Sequence, residues 1–184
     1  MALEYNAMCW YISSLWKEGK PMTLKRAGPA DLKEAARITR ETILAVYPHY
    51  YPKGIVDFFL NWHREEKILP DILAGEVFLL LEEGKAVGTV TLHGEEITRL
   101  YVPPLYQGKG YGRFLLDFAE RTLGEAYGRM TVEASLPAKA LYLRRGYRIV
   151  DYRTEEQENG DVLCWDVMEK TWAGEKAALE GESI

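Results

Sequence analysis

Three glycines at alternate positions, Gly108, Gly110 and Gly112, stand in the stretch LYVPPLYQGKGYGRFLLDFAERTLG, between an apolar segment ending in Pro-Pro and the first turn of an amphipathic helix. Each glycine costs a helix about 1 kcal/mol relative to alanine, so helix propensity does not account for them. Bare backbone at a helix start exposes unpaired N–H groups at the positive end of the helix dipole, which is the chemistry of an anion site, most often for phosphate. A flexible turn would use the same residues. The ligand class narrows by exclusion. No G-x-x-x-x-G-K-[ST] run is present, and G-x-G-x-x-G fails because the third glycine falls one place early. Nor does an early strand lead into the turn, as a dinucleotide-binding unit requires, so ATP and NAD fit poorly.

The elements that must hold this turn follow from periodicity. Residues 22–27 read as a strand, and the run after them as a helix with Pro29 near its start and Asp31 as its cap. YPKGIVDFFLNWHREEKIL carries Ile55, Val56, Phe59 and Trp62 at helical spacing. Residues 77–82, 86–93 and 96–102 read as three strands, joined by tight turns at Glu83-Gly84 and Gly94-Glu95. Beyond Gly112, the residues Phe114, Leu115, Phe118 and Leu123 form the stripe of a helix that Gly124 is expected to cap. GRMTVEA is a further strand, PAKALYLRR a short helix stopped by Gly146, and YRIVDYR and VLCWDVMEK a final strand pair around ENGD. The expected fold is α+β, a three-layer α/β/α domain around one mixed sheet.

Length and charge bound the rest. The 184 residues suffice for one domain, expected over residues 21–170, with an arm or short helix at 1–20 and a polar tail at 171–184. A net charge of −5 gives no basic footprint, so nucleic acid is not an expected partner. The two cysteines, Cys9 and Cys164, fall in no metal or redox spacing, and no metal is expected. The apolar middle of residues 1–20 lacks a basic flank and a cleavage site, and no run approaches the ~20 apolar residues of a membrane span. A cytoplasmic protein without a membrane partner is expected. The rings and aliphatic residues of the arm would pack on the domain or on a second copy, which leaves a homodimer open.

QGKGYG, Gln107 to Gly112, resembles the Q/R-x-x-G-x-G/A signature of the GNAT superfamily of N-acetyltransferases, and it lies after the fourth strand at the start of the central helix, as in that family. ALYLRRGY, Ala140 to Tyr147, is similar to the family's L-Y-x-x-x-G-F/Y element. The strand order is similar as well, from Met22 to about Lys170.

The resemblance implies a mixed, mostly antiparallel sheet splayed between its fourth and fifth strands, with acetyl-CoA as co-substrate. Its pyrophosphate would lie on backbone N–H groups of Gln107, Gly108, Lys109, Gly110, Tyr111 and Gly112, with Lys109 and Arg113 as auxiliary charges. The pantetheine arm would pair with Leu100, Tyr101 and Val102, whose backbone also polarises the thioester carbonyl. One such donor is worth about 2.7 to 4 kcal/mol in acyl transfer. Tyr142, at the motif tyrosine, would be the acid that protonates the departing thiolate, or simply a packed aromatic. Glu96 matches the glutamate of the histone-acetylating branch and would be the base, or a solvated residue after its turn; Glu133 and His93 are alternatives through water. Ser135 stands where many members have Asn against the CoA arm, a contact its shorter side chain puts in question.

The acceptor would be a primary amine of unspecified identity. Tyr47, Tyr50 and Tyr51, grouped with His49 around Pro48 and Pro52, would line its site by cation–π contact or else cap the core with Phe58, Phe59 and Trp62. No cysteine sits in a motif as an acyl carrier, so transfer would be direct, in a ternary complex. A noncatalytic acyl-CoA-binding module on the same fold, or a binder of another nucleotide, would carry the same glycine turn.

Overall fold

The computed structural model describes residues 22–172; the expected arm and nearly all of the expected tail lie outside them. In chain order the elements are β1 (Met22–Arg26), α1 (Leu32–Val46), α2 (Lys53–Trp62), α3 (Glu65–Leu73), β2 (Val77–Glu82), β3 (Lys85–His93), β4 (Glu96–Tyr101), α4 (Tyr111–Tyr127), β5 (Arg129–Ala134), α5 (Leu136–Arg144), β6 (Arg148–Glu156) and β7 (Val162–Thr171). The strands form one seven-stranded sheet in the order β1-β2-β3-β4-β5-β7-β6. Every neighbouring pair is antiparallel except β4 and β5. No helix among the described residues is long and apolar enough to cross a membrane.

Burial on both faces makes this three layers. Phe78, Leu80, Val87 and Val90 of β2 and β3 pack against Phe114, Leu115, Phe118 and Leu123 of α4. On the other face Val77 and Leu79 meet Ile38 and Ile43 of α1, Ile55 of α2 and Ile68 and Ile72 of α3. The apolar run along β2 is therefore unbroken, because both of its faces are covered.

Strand β4 carries the feature that makes a site. Its register against β3 passes from Leu92 opposite Ile97 to Thr91 opposite Arg99, so Thr98 is an extra residue, a β-bulge. The bulge inverts the side-chain phase: Ile97 lies in the core under α4, whereas Tyr101 lies in the core under α1 to α3. β4 also pairs with β5 only at Glu96 with Thr131 and Ile97 with Val132, before the bulge. Past Ile97 the two parallel strands part, and a wedge opens in the middle of the sheet.

Two expectations about helices are corrected. α4 does not end at Gly124 but runs on to Tyr127, where Gly128 at φ 68° closes it through an N–H to the Gly124 carbonyl. Gly124 is small for a packing reason: a Cβ there would meet the Trp172 ring at 3.1 Å. The segment from Lys53 to Leu73 is two helices, because the chain leaves helical geometry at His63 and becomes extended at Arg64.

Candidate active site

The glycine turn lies at the mouth of the wedge. Gly108 and Gly110 hold φ values of 74° and 87°, a left-handed backbone that residues with a Cβ rarely adopt. Gly110 is the N-cap of α4, and no side chain caps the helix there, so the N–H groups of Tyr111, Gly112 and Arg113 have no intrahelical acceptor. Gly112 is different. Its backbone is ordinary helix, and a Cβ on it would meet only Val102 Cγ2, at 3.8 Å. Among the described residues neither strain nor packing calls for glycine at 112. Gln107 braces the loop from inside: its side-chain amide donates to the Val102 carbonyl at 2.8 Å, and its backbone N–H to Pro104 at 3.1 Å. Lys109 and Arg113 are exposed, Lys109 over the Tyr106 ring and Arg113 beside Asp117 at 3.8 Å.

From this turn a cavity of about 510 Å³ runs into the wedge between β4 and β5. Leu100, Tyr101, Val102, Gln107, Gly108, Gly112, Ser135, Tyr142 and Tyr47 line it, so nine sequence-predicted residues from five parts of the chain converge there. Glu96, Lys109, Gly110, Tyr111, Arg113, Tyr50 and Tyr51 are not among the lining residues. The Tyr111 hydroxyl turns away to donate to Glu82, and its phenol is pushed up to about 12 by burial and by that carboxylate. Tyr50 is exposed.

Tyr142 is held by α5 in the core, 3% exposed, its ring edge-on to Tyr147 at 5.1 Å. Its hydroxyl has no hydrogen-bond partner among the described residues. Burial, reinforced by Tyr47 and Glu120, pushes its pKa well above that of an ordinary phenol, so the hydroxyl keeps its proton at neutral pH. Facing it across the wedge is a chain of hydroxyls. Tyr47 donates to Ser135 Oγ at 3.3 Å, and the Tyr101 hydroxyl lies 3.4 Å from that of Tyr47. Tyr51 does not reach the cavity because its hydroxyl accepts the Leu136 N–H at 2.7 Å. It thereby caps α5, whose N-cap Ser135 makes no side-chain cap bond.

The far end of the cavity is aromatic. Tyr47 and Phe59 meet edge to face at 4.7 Å, Phe59 stacks on His63 at 6.3 Å, and His63 meets Tyr101 edge to face at 5.6 Å. Beneath them the sequence hid a polar network. Arg99, 8% exposed, donates from Nε to His63 Nδ1 at 3.1 Å and from its terminal nitrogens to Asp71 and to the Lys67 carbonyl. Burial first, and Arg99 second, lower the imidazole of His63 to about 3. The ring is neutral and its proton is fixed on Nε2, because Nδ1 is the acceptor. The one available signal was a charged residue in the apolar run ITRLYV, which simple alternation would have turned toward α4 instead.

The three base candidates occupy different settings. His93 is exposed and bound to Glu76 at 2.9 Å, off the cavity. Glu133 lines the cavity and pairs with Arg153 at 2.9 Å. Glu96 is half-buried beside it, and burial, then the Glu133 charge, raise it above the usual carboxylate range. Among the described residues no cluster of His, Cys, Asp or Glu could hold a metal ion.

A strand parting after a bulge, with a bare helix N-terminus at its mouth, can be set beside known proteins. The Acetyltransferase (GNAT) domain matches residues 46–171, more than half of the chain. The chain belongs to the GNAT family of acetyltransferases. Solved GNAT structures superpose on it: a GCN5-related N-acetyltransferase from Rhodopseudomonas palustris at 27% identity, TM-score 0.72, over 81% of this chain and 94% of that one. The paiA N-acetyltransferase of Thermoplasma acidophilum, solved with coenzyme A, superposes at 18% identity, TM-score 0.65, over 82% and 99%. The yncA protein of Salmonella typhimurium, solved with acetyl-CoA, does so at 19% identity, TM-score 0.57, over 83% and 95%. A comparison with curated protein sequences gives no match. As a GNAT domain, the chain is an acyltransferase whose glycine turn and wedge sit on a shared fold.

Proposed function

We propose that this acetyltransferase moves an acetyl group from acetyl-CoA to a primary amine, by direct attack within a ternary complex. The observation that carries the donor end is Gly112, a glycine that no atom of the described residues requires, on the first turn of an uncapped helix that opens on the cavity. The N–H groups of Gly108 to Gly112 would hold the pyrophosphate, with Lys109 and Arg113 as outer charges and Gln107 as brace. Leu100, Tyr101 and Val102, left without a partner strand on the β5 side, would hold the pantetheine arm, and Ser135 would meet it from α5. Two of the superposed proteins were solved with coenzyme A or acetyl-CoA, which supports this donor. Bound acetyl-CoA supplies a thioester, an acyl group activated toward an amine.

The chain's own residues then have three tasks. Tyr47, Phe59, His63 and Tyr101 wall the acceptor end and exclude water, and an amine entering such a wall loses solvation that favours its charged form, so its pKa falls from near 10. Glu96, raised by burial and by Glu133, takes the amine proton through the cavity-lining Glu133 or water. Tyr142 holds a proton on a hydroxyl with no protein acceptor and gives it to the leaving sulfur. His63 is no base, since its Nδ1 already accepts from Arg99.

The test is a thermal-shift comparison of acetyl-CoA, CoA, ATP and NAD, followed by thiol release with a panel of primary amines. A shift of several degrees with the CoA forms alone is expected, since a ligand at about 100 times its dissociation constant adds about 2.7 kcal/mol. Amine-dependent thiol release is expected next. A larger shift with ATP or NAD would overturn the donor assignment, and binding without release for any amine would leave a noncatalytic binder.

A further inference from the structure

The aromatic end of the cavity holds one polar group that the proposed reaction leaves unused. His63, 9% exposed, lines the cavity, and so do the side chains around its ring, Phe59, Arg99 and Tyr101. Arg99 Nε donates to His63 Nδ1 at 3.1 Å, so the proton of the neutral imidazole stands on Nε2. That N–H has no acceptor among the described residues. A buried donor without an acceptor is costly, and a ligand that brings an acceptor to it recovers the cost.

Arg99 strengthens this donor. Its own side chain is 8% exposed, whereas Asp71, its carboxylate partner, is 27% exposed and shares its charge with solvent. The guanidinium charge is felt at the ring, where it is the second cause, after burial, that opposes protonation of the imidazole. Glu133, on β5, is the one carboxylate that lines the cavity among the described residues, and Arg153 holds it at 2.9 Å. The ring end therefore has a directed N–H and a buried cation, and no anion lines it.

We propose that His63 Nε2–H selects the acceptor: the amine carries a carbonyl or carboxylate oxygen on the neighbouring carbon, as an α-amino acid or its amide does, and that oxygen accepts from His63. The inference rests on the reading of this cavity as an acceptor site. The Tyr101 ring, on the strand proposed to hold the thioester, lies 5.6 Å from the His63 ring, so the oxygen need be only a few bonds from the attacking nitrogen. A diamine or polyamine is the wrong ligand, because its second ammonium would face a donor and a buried cation.

Alaninamide, alanine and isopropylamine test this, since they differ in whether a carboxamide, a carboxylate or a methyl group stands beside the amine-bearing carbon. Thiol release is measured for each at saturating acetyl-CoA, with kcat/KM referred to the free-base concentration of the amine so that their different pKa values drop out. The wild type should prefer alaninamide or alanine over isopropylamine about tenfold or more, the discrimination of one hydrogen bond to a fixed donor. That ratio needs no variant, and whichever of the two is preferred tells a peptide-like carbonyl from a free carboxylate. His63→Met leaves a weak acceptor near Arg99 and removes the donor, and it should bring the ratio toward one. His63→Gln keeps an acceptor and a donor and should recover part of it. A merely structural role would lower all three rates together and leave the ratio alone. Equal or better use of isopropylamine by the wild type, or an unchanged ratio in His63→Met, would overturn the proposal. If no amine releases thiol, the acetyl-transfer reading fails by itself, and NMR titration of the coenzyme A-saturated protein with the same three amines decides the proposal. Tighter binding of the two carbonyl-bearing amines by the wild type but not by His63→Met upholds it, and equal binding of all three overturns it.

Discussion

At one end of the cavity Gly108 and Gly112 put bare backbone against the open space, whereas at the other end Tyr47, Phe59, His63 and Tyr101 meet it with four interlocked rings. On the proposed reading the first end would recognise through N–H groups that every residue owns, and it would need only the absence of side chains. The second would recognise through side chains drawn from α1's C-terminal turn, α2 and β4, each held by the others. A ligand end built from backbone tolerates change everywhere except at its glycines. If the rings wall the acceptor, a change in any one of them would change its specificity; behind them stands the polar brace of Arg99, His63 and Asp71.

The largest expected effect lies where the two ends meet. Tyr142→Phe should lower kcat by about 10² to 10⁴ while leaving coenzyme A affinity unchanged, the range for loss of a general acid; an unchanged kcat in steady-state kinetics would remove Tyr142 from proton transfer. At the backbone end, Gly112→Leu should weaken coenzyme A binding about a hundredfold, the size of a few kcal/mol of overpacking. Its melting temperature without ligand should hold or rise, since the site has room for a Cβ and loses a helix-weakening glycine. Isothermal calorimetry and a melting curve together check this, and a variant that binds normally would break the contrast drawn here.

At the ring end, acidity supplies the probe. The unfolded chain protonates His63 near 6.5, but the folded chain refuses that proton until about 3, so this contribution to stability is full above 6.5 and is lost as the pH falls toward 3. The slope is at most about 1.4 kcal/mol per pH unit. His63→Asn keeps an acceptor for Arg99 without a titrating ring, and urea denaturation between these pH values should show a shallower acid limb than in the wild type. Equal slopes would mean that the imidazole is not held neutral. A smaller effect is expected from Tyr51→Phe, which leaves the Leu136 N–H without its acceptor and should cost about 1 kcal/mol by denaturation, as for a lost helix cap. Arg113→Ala should be smallest, about fivefold or less in coenzyme A affinity and vanishing at high salt, because an exposed charge is worth about 1 kcal/mol or less.

By itself the sequence determined whatever rests on neighbours along the chain. Apolar runs bounded by turn residues marked the strands from Val77 onward, and the glycine turn and the LYLRRGY element marked the helix start and the tyrosine that converge on the wedge. The family followed from these two motifs, because a backbone cradle depends on local residue types. The tertiary structure decided what depends on distant contacts. Gly124 looked like a helix cap until the Trp172 ring was found against it, and of three grouped tyrosines Tyr47 lines the cavity, Tyr51 caps α5 and Tyr50 faces solvent. The Thr98 bulge arises from pairing with β3, and it alone turns Arg99 and Tyr101 toward His63. A single extra residue inverts every side chain after it, and no period in the sequence records on which strand of a pair that residue falls.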